Sequence, residues 1–214
     1  RLWKRSQTEL EIIRTYAWLH TELIPYMYHY VVTAHEGGQR LQRPVPGKYH
    51  YMFGEHLLIA PIYRDALSHE VHLPAGKWRY WFDDTKIIMG PITLNREFPL
   101  DEYPVFIRQG AIIPLDIKRS YTGIGSPEDE GLLTFLVYPD LEQQSFAVHR
   151  EKEQSTSLAY VWNGQRLTVK LQGKECPHIL KLALDRRPDK IELDERTLSE
   201  GTDYHYDANL KRLS

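Results

Sequence analysis

Four short runs decide the fold class of this chain. They are HLLIAPI (56–62), HEVHLP (69–74), KWRYWF (77–82) and VFIRQGAIIPL (105–115). Branched and aromatic residues dominate each run, and Gly, Pro and Asp separate one run from the next. Short apolar runs bounded by turn residues are typical of all-β sandwiches. The stretch therefore predicts a mainly β protein.

A second group of short apolar runs follows the first. It includes LLTFLVYP (132–139), SLAYVW (157–162) and RLTVKLQG (166–173), with Asn163-Gly164 as a hairpin turn between the last two. Residues 119–131, RSYTGIGSPEDEG, combine Gly, Ser, Pro and acids without periodicity, as a linker does. We predict two tandem antiparallel β-sandwich domains, a proximal one over residues 45–122 and a distal one over residues 123–214.

The N-terminal segment, residues 1–44, has a different pattern. Apolar residues recur at spacings of three, four and seven, which predicts a helix from Thr8 to about Glu36. They are Leu10, Ile13, Ala17, Ile24, Tyr28 and Val31. A helix that is apolar on most faces needs neighbours, and we expect those neighbours to lie outside this chain.

The ends of this helix carry recognisable signals. Thr8 followed by Glu11 fits a capping box, and Gly37-Gly38 fits a C-terminal stop. Pro25 lies inside the segment, where it removes one backbone hydrogen bond. We therefore predict one long helix that is kinked at Pro25.

The charge and length of the chain exclude some functions. Its 214 residues hold 27 basic and 29 acidic side chains, a net charge of -2, so no strong field attracts nucleic acid or an anionic membrane. No apolar run approaches the roughly 20 residues of a membrane-spanning helix. We predict neither a nucleic-acid nor a membrane partner. The opening RLWKRSQTELEII has no initiator Met and no signal-peptide core, so we expect a piece of a longer protein.

Cofactor and metal sites find little support in the sequence. The single cysteine, Cys176, excludes an intrachain disulfide and a multi-thiolate zinc site, and it leaves the cellular compartment open. His69 and His72 are three apart on a predicted strand and so point to opposite faces. Gly-rich phosphate loops are absent from the sequence. We predict no metal and no cofactor.

Two acidic pairs could in principle serve as a general acid and a nucleophile. Asp83-Asp84 follow the aromatic strand, and Asp101-Glu102 precede Tyr103. Adjacent residues on a strand diverge, whereas a retaining glycosidase needs two carboxyls about 5 to 5.5 Å apart. We interpret both pairs as turn acids and predict no catalytic residue in the chain.

The aromatic strand KWRYWF is the candidate binding surface. Trp78, Tyr80 and Phe82 share one face of a strand, and Trp81 takes the other. Flat aromatic faces are the surfaces on which carbohydrate-binding modules stack sugar rings. We name Trp78, Tyr80 and Phe82 as candidate substrate-binding residues.

Four segments, in order, resemble the end of glycoside hydrolase family 31. They are IIRTYAWLHTELIPYMYHYVVTAHEGGQRLQRP (12–44), YMFGEHLLIAPI (51–62), VHLPAGKWRYWFDD (71–84) and FPLDEYPVFIRQGAIIPL (98–115). The first resembles the family's R-x-x-L-x-P-Y-x-Y helix and its following turn. The matching residues are Arg14, Leu23, Pro25, Tyr26, Tyr28, Gly38, Arg43 and Pro44.

The resemblance implies a place for each part of the chain. The helix would be the last one of a missing (β/α)₈ barrel, and two β-sandwiches would follow it. In such enzymes an aspartate nucleophile and an aspartate acid/base lie on barrel strands upstream, so no catalytic residue maps onto this chain. The resemblance implies a retaining α-glycosidase that hydrolyses α-glucosides or α-xylosides. This segment would brace the barrel and be inactive alone, with the sugar bound by the missing barrel.

Two other functions fit the same sequence. One is a stand-alone carbohydrate-binding protein that uses the patch from Trp78 to Phe82. The other is a structural module whose helix face, formed by Leu10, Ile13, Ala17 and Ile24, docks on a partner chain. All three hypotheses leave apolar helix surface exposed when the barrel is absent, which predicts self-association through the helix.

Overall fold

The protein is mainly β with two helices at its N-terminal end. The structure is a computed structural model that describes residues 4–149, 155–173 and 176–214. The helices are α1 (Gln7–Glu22) and α2 (Ile24–His35), and strands in four sheets follow them. The fold class that the sequence predicts is confirmed.

Proline divides the predicted kinked helix into two. Leu23 is both the C-cap of α1 and the N-cap of α2, and Pro25 lies in the first turn of α2. A proline there removes no hydrogen bond, because the first N–H groups of a helix have no partner within it. The N–H of Leu23 still donates to the carbonyl of Leu19 at 3.0 Å. Gly37, at φ +84°, follows the end of α2, as the glycine pair predicts.

Helix α1 begins two residues earlier than the capping pattern predicts. Its N-cap is Ser6, whose Oγ accepts the N–H of Glu9 at 3.2 Å, and the Glu9 carboxylate accepts the N–H of Ser6 at 2.8 Å. The prediction of Thr8 and Glu11 as the capping box is wrong, because Ser6 and Glu9 have the same spacing two residues upstream and form the box instead.

The first sheet has six strands and one long hairpin. In chain order they are β1 (Gln42–Pro44), β2 (Tyr51–Phe53), β3 (Leu57–Ile59), β4 (Ser68–Tyr80), β5 (Asp83–Glu97) and β6 (Val105–Arg108). Their order in the sheet is β1-β2-β3-β6-β4-β5, and each neighbouring pair is antiparallel. The β4–β5 register shifts between Leu73 and Gly76. Pro74 interrupts the ladder there because it has no N–H to donate.

The first sheet encloses a core of its own. The buried residues are Met52, Leu58, Ala60, Val71, Leu73, Trp78, Tyr80 and Phe106. Val71 and Leu73 come from the first half of β4, yet they share this cluster with Met52 of β2 and Leu58 of β3. The sheet therefore folds back over itself at the irregularity in β4.

Ten further strands form the rest of the fold. They are β7 (Ile112–Asp116), β8 (Leu133–Val137), β9 (Gln144–His149), β10 (Ser155–Trp162), β11 (Leu167–Gln172), β12 (His178–Ala183), β13 (Glu192–Leu193), β14 (Arg196–Thr197), β15 (Tyr206–Asp207) and β16 (Arg212–Leu213). Their sheets have the orders β15-β16-β12-β8-β7, β11-β10-β9 and β13-β14. Two 3₁₀ turns, Ser120–Thr122 and Pro127–Asp129, lie between β7 and β8.

Strand pairing crosses the predicted linker. Strand β7 pairs with β8, with Ile112 opposite Val137, so residues 119–131 join two strands of one sheet. The backbone hydrogen bonds of β7 place this strand with the second group of strands. The division of the chain into residues 45–122 and 123–214 remains a prediction. Strands β8 and β12 run parallel, so the antiparallel expectation is wrong for that pair.

One large core joins the helices to both groups of strands. Its buried members include Leu23, Tyr26, Tyr30, Leu57, Ile107, Ile113, Phe135, Phe146, Leu158 and Leu182. The helices and both groups of strands therefore share this core, in addition to the separate core of the first sheet. The expectation that the helix has no neighbours in this chain is therefore wrong for one of its faces.

Two tyrosines of α2 hold the turn between β2 and β3, and we call them the tyrosine clamp. The hydroxyl of Tyr26 donates to the carbonyl of Phe53 at 2.8 Å and accepts the N–H of His56 at 3.2 Å. The hydroxyl of Tyr30 accepts the N–H of Glu55 at 2.9 Å. Both rings are buried, and burial raises the pKa of Tyr30 to about 12. The clamp therefore stays neutral and bonded over the ordinary pH range.

The clamp requires glycine in the turn it holds. Gly54 has φ +63°, a conformation that side chains with a Cβ adopt at a cost. A Cβ added there would lie 2.3 Å from the Tyr26 hydroxyl and 2.3 Å from the Tyr30 ring. The Phe-Gly pair of this strand is thus explained by its contact with α2.

The segment between β7 and β8 is docked rather than free. The buried Glu22 carboxylate of α1 accepts a hydrogen bond from the Thr122 hydroxyl at 2.8 Å, and burial raises the pKa of Glu22. Further along, Asp129 pairs with Lys181 of β12 at 2.9 Å, with both side chains largely buried. These contacts fix residues 118–131 against α1 and against β12 of the five-stranded sheet.

A buried carboxylate joins the hairpin of the first sheet to the C-terminal strands. Asp84 accepts hydrogen bonds from the Tyr138 hydroxyl at 2.6 Å and from the Arg212 guanidinium. The guanidinium of Arg79, only 2% exposed, donates to the Asp84 carbonyl at 2.6 Å. Asp84 is therefore a structural residue, but it lies at the start of β5 rather than in a turn.

Replacing Asp84 by Asn should lower the free energy of unfolding by about 3 kcal/mol, because it leaves the largely buried Arg212 without its anionic partner. The matched control is Asp83→Asn, whose carboxylate pairs with the exposed Lys86 at 2.8 Å and should matter by less than about 1 kcal/mol. Urea unfolding at pH 7 measures both. Equal losses would contradict the structural role of Asp84.

His56 makes the fold sensitive to acid. It is buried beside the clamp, and burial, with smaller contributions from Arg108 and His29, lowers the pKa of His56 from 6.5 to about 3. The folded state keeps this ring neutral while the unfolded state takes up a proton below pH 6.5. The contribution of the neutral His56 ring to the free energy of unfolding is therefore complete above pH 6.5, and it is lost as the pH falls from 6.5 towards 3.

Between pH 7 and pH 4.5 we expect this group to remove about 2–3 kcal/mol of stability from the wild-type chain. His56→Gln should show a smaller loss over that interval, whatever its stability at pH 7. His35→Gln, at an exposed position of α2, should lose as much as the wild type. Chemical denaturation at the two pH values decides, and an unchanged pH dependence in His56→Gln would refute the assignment.

Candidate functional site: the exposed helix face and the tip of the long hairpin

One face of the two helices is apolar and open to solvent, and we call it the exposed helix face. It consists of Ile13, Ala17, Ile24, Tyr28 and Val31. Spacings of four, seven, four and three place these residues on one stripe. Ile24 is 51% exposed and Val31 is 55% exposed. No helix in the described residues is long and apolar enough to cross a membrane.

The opposite face of the helices is the one that packs in this chain. Leu19, Leu23, Tyr26 and Tyr30 follow one another at spacings of four, three and four and contact the large core. Sequence reasoning selected the stripe that begins with Leu10, which is itself only partly exposed, and missed this second stripe, although its period is equally regular. The helices thus have two apolar faces, and only one of them has a partner here.

An apolar stripe of this length on a folded surface marks a docking site. Large exposed apolar patches on soluble domains are typical of interfaces with other domains or proteins. The tyrosine clamp and the Glu22 contact fix both helices from behind, so the stripe is presented on a rigid element. It can bind a partner without first being ordered.

The aromatic strand is mostly core. Trp78 is 2% exposed, and its ring N–H donates to the carbonyl of Pro74 at 2.9 Å. Tyr80 is 4% exposed, and its hydroxyl donates to Glu102 at 2.7 Å. Neither ring offers a face to a sugar, which corrects the prediction that they stack on substrate. Phe82, 37% exposed, is the one of the three candidates that reaches solvent.

The acidic pairs do not form a catalytic dyad. Asp83 accepts hydrogen bonds from Lys86 at 2.8 Å and from Thr85 at 2.7 Å, and the Lys86 bond chiefly lowers the pKa of Asp83. Glu102 accepts a hydrogen bond from the Tyr80 hydroxyl at 2.7 Å. A glycosidase needs one carboxyl that is protonated at working pH. Asp83, with its lowered pKa, does not meet that need.

The two histidines of β4 take part in the packing and hydrogen bonding of the first sheet. His69 is buried, and His72 contacts Glu70 at 2.7 Å and the Thr93 hydroxyl at 3.0 Å. In the part of the chain that the structure describes, no three His, Cys, Asp or Glu side chains are grouped so that they could hold a metal ion.

The fold and this surface define a class of protein: a mainly β domain that carries a helix pair with an exposed apolar face. A family model described as the glycosyl hydrolase family 31 C-terminal domain matches residues 26–113. Those residues are a family 31 C-terminal domain, and the chain corresponds to the non-catalytic C-terminal region of the enzymes of glycoside hydrolase family 31.

Relatives with assigned activities agree with this placement. A 1,6-alpha-glucosyltransferase of Sporosarcina globispora is 32% identical over 161 residues, which cover 69% of this chain and 12% of that protein. An alpha-glucosidase of Saccharolobus solfataricus is 34% identical over 110 residues, which cover 46% of this chain and 15% of that protein. The chain therefore spans less than a fifth of the length of these relatives.

A solved structure shows the same fold. The cycloalternan-forming enzyme of Listeria monocytogenes, in complex with a pentasaccharide substrate, superposes with a TM-score of 0.84 at 21% identity. The match covers 97% of this chain and 22% of that one. Nearly the whole chain thus corresponds to a contiguous fold within a much larger enzyme, which does not favour a stand-alone carbohydrate-binding protein.

The two helix faces should respond differently to substitution in this chain. Ile24→Glu changes the exposed face and should shift the free energy of unfolding by less than about 0.5 kcal/mol. Leu23→Ala, at the neighbouring buried position, should lower it by about 2–4 kcal/mol. Urea denaturation of both variants measures the difference. Comparable losses would mean that the exposed face already has a partner within the chain.

Proposed function

We propose that this chain is the bracing C-terminal part of a retaining α-glycosidase that acts on α-glucosides or α-xylosides. The catalytic (β/α)₈ barrel docks on the exposed helix face. The observation that carries the proposal is a rigid helix pair with one apolar face buried in the β-domain and the other left open. A helix shared by two bodies has this distribution of apolar residues.

The docking contributes stability and alignment rather than chemistry. Burying the side chains of Ile24, Tyr28 and Val31 against a barrel would contribute about 1–2 kcal/mol each. Barrel active sites are built from loops at the C-terminal ends of the strands, and those loops need a rigid support to keep catalytic geometry. The β-domain supplies that support from behind the last helix pair.

The names of the relatives support the substrate class. Two of them are an alpha-glucosidase and an alpha-xylosidase, both of Saccharolobus solfataricus. The sugar would bind in the barrel, and we propose no nucleic-acid or membrane partner. Separated from the barrel, the chain would self-associate through the exposed helix face, as apolar stripes of this kind do. Docking of the helices on a separate partner chain is the competing proposal.

The test compares the 214-residue chain with the longer polypeptide that carries it. The chain alone should not hydrolyse p-nitrophenyl α-glucoside or α-xyloside, whereas the longer protein should hydrolyse at least one.

Val31→Lys in the longer protein should lower the temperature of half-inactivation by several degrees, because a buried lysine replaces an apolar contact. The matched control is Glu11→Lys, an exposed position of α1 away from the stripe.

Two results would overturn the proposal. Turnover by the chain alone, free of host glycosidase, would place a carboxylate pair within these residues. Equal inactivation temperatures for Val31→Lys and Glu11→Lys would show that no barrel covers the exposed helix face. A partner chain in trans would be revealed if Val31→Lys abolished an oligomer of the longer protein and left its inactivation temperature unchanged.

A further inference from the structure

A cavity of about 260 Å³ lies at the tip of the β4–β5 hairpin, beside the core of the first sheet. Tyr80, which belongs to that core, and Ile88, which packs against it, line the cavity. Its walls include Phe82, Asp83, Lys86, Arg96 and Glu102. None of these side chains belongs to the exposed helix face. The proposed bracing role does not use them.

One wall of the cavity is a flat aromatic surface. Phe82 is partly exposed and packs against Tyr80 with ring centroids 5.5 Å apart and planes at 53°. The guanidinium of Arg96 lies 4.6 Å from the centre of the Tyr80 ring and 4.8 Å from the centre of the Phe98 ring. These contacts hold Phe82 and Arg96 in place, so the wall exists before any ligand arrives.

The rim of the cavity carries both hydrogen-bond donors and acceptors. Lys86 uses one of its three N–H groups on Asp83, and Arg96 uses its Nε on the Glu97 carbonyl at 3.2 Å. Each therefore keeps N–H groups that can donate to a ligand. Glu102 receives the Tyr80 hydroxyl on one oxygen, which leaves its second oxygen able to accept.

We propose that this cavity binds one neutral pyranose unit of a glycan. Two cations and two carboxylates leave the rim without net charge, so an anionic or cationic ligand gains nothing from it. A sugar ring has an apolar face for Phe82 and hydroxyl groups that both donate and accept. The volume lies just below that of drug-sized pockets, which suits a single ring.

The site has the character of a weak, glycan-retaining subsite. A small polar ligand on one aromatic wall should bind with a dissociation constant of about 1 mM. The inference goes beyond the proposed function because it needs neither the barrel nor turnover. In this proposal the sugar-binding surface is Phe82 with a polar rim, instead of the row of Trp78, Tyr80 and Phe82 that the sequence predicts.

The experiment is a titration of the 214-residue chain with methyl α-glucopyranoside, followed by saturation-transfer NMR up to about 100 mM sugar. Wild-type chain should bind saturably. Phe82→Ala should weaken binding about 10-fold or more, because it removes the stacking wall. Glu102→Gln, which keeps an acceptor for Tyr80, should weaken it several-fold. Leu67→Ala, at an exposed position outside the cavity, should bind as the wild type.

Charged sugars test the choice of ligand class. Glucosamine and glucuronate should bind more weakly than the neutral glucoside, and tighter binding of either would overturn the neutral assignment. The site itself is refuted if the wild-type chain shows no saturable binding, or if Phe82→Ala binds as well as the wild type while both retain the wild-type circular dichroism spectrum. Because no hydrolysis is measured, these outcomes are independent of the activity of the longer protein.

Discussion

The hydrogen bonds of the tyrosine clamp are the constraint on which the rest of this structure depends. Tyr26 and Tyr30 reach from α2 to the backbone of the turn at residues 53–56 and satisfy groups that would otherwise be buried without partners. Gly54 permits that approach because it has no Cβ. The clamp fixes α2 between the first sheet and the second group of strands, and the large core closes around it.

Because the helix pair is fixed, its outer face is fixed too, and that face is the proposed docking surface. Once the stripe of Leu23, Tyr26 and Tyr30 is turned inward, the stripe of Ile24, Tyr28 and Val31 must point away from the β-domain. Proline at the start of α2 and the Glu22 contact hold the two helices in register. The β-domain therefore presents an apolar surface of defined shape, which a catalytic barrel can use as its last layer.

The sequence predicts the elements of this fold better than their partners. Branched runs, turn residues and the glycine after α2 identify strands and helix ends, because these signals are local. Strand parity places Trp78, Tyr80 and Phe82 on one face, but it does not tell whether that face is core or surface. The helical period has the same ambiguity. The helices carry two apolar stripes, and the chain buries the stripe of Leu23, Tyr26 and Tyr30 rather than the one that the sequence analysis selected. The pairing of β7 with β8 depends on long-range hydrogen bonds that no local pattern encodes.

Hydroxyl-radical footprinting of Tyr28 shows whether the catalytic part of the same protein covers the exposed helix face. Tyr28 is exposed in this chain and Tyr26, two residues away, is buried, so Tyr26 serves as an internal reference. We expect Tyr28 to be oxidised readily in the 214-residue chain, under conditions that keep it monomeric, and to be protected in the longer protein. Equal oxidation of Tyr28 in both would mean that no barrel covers this face.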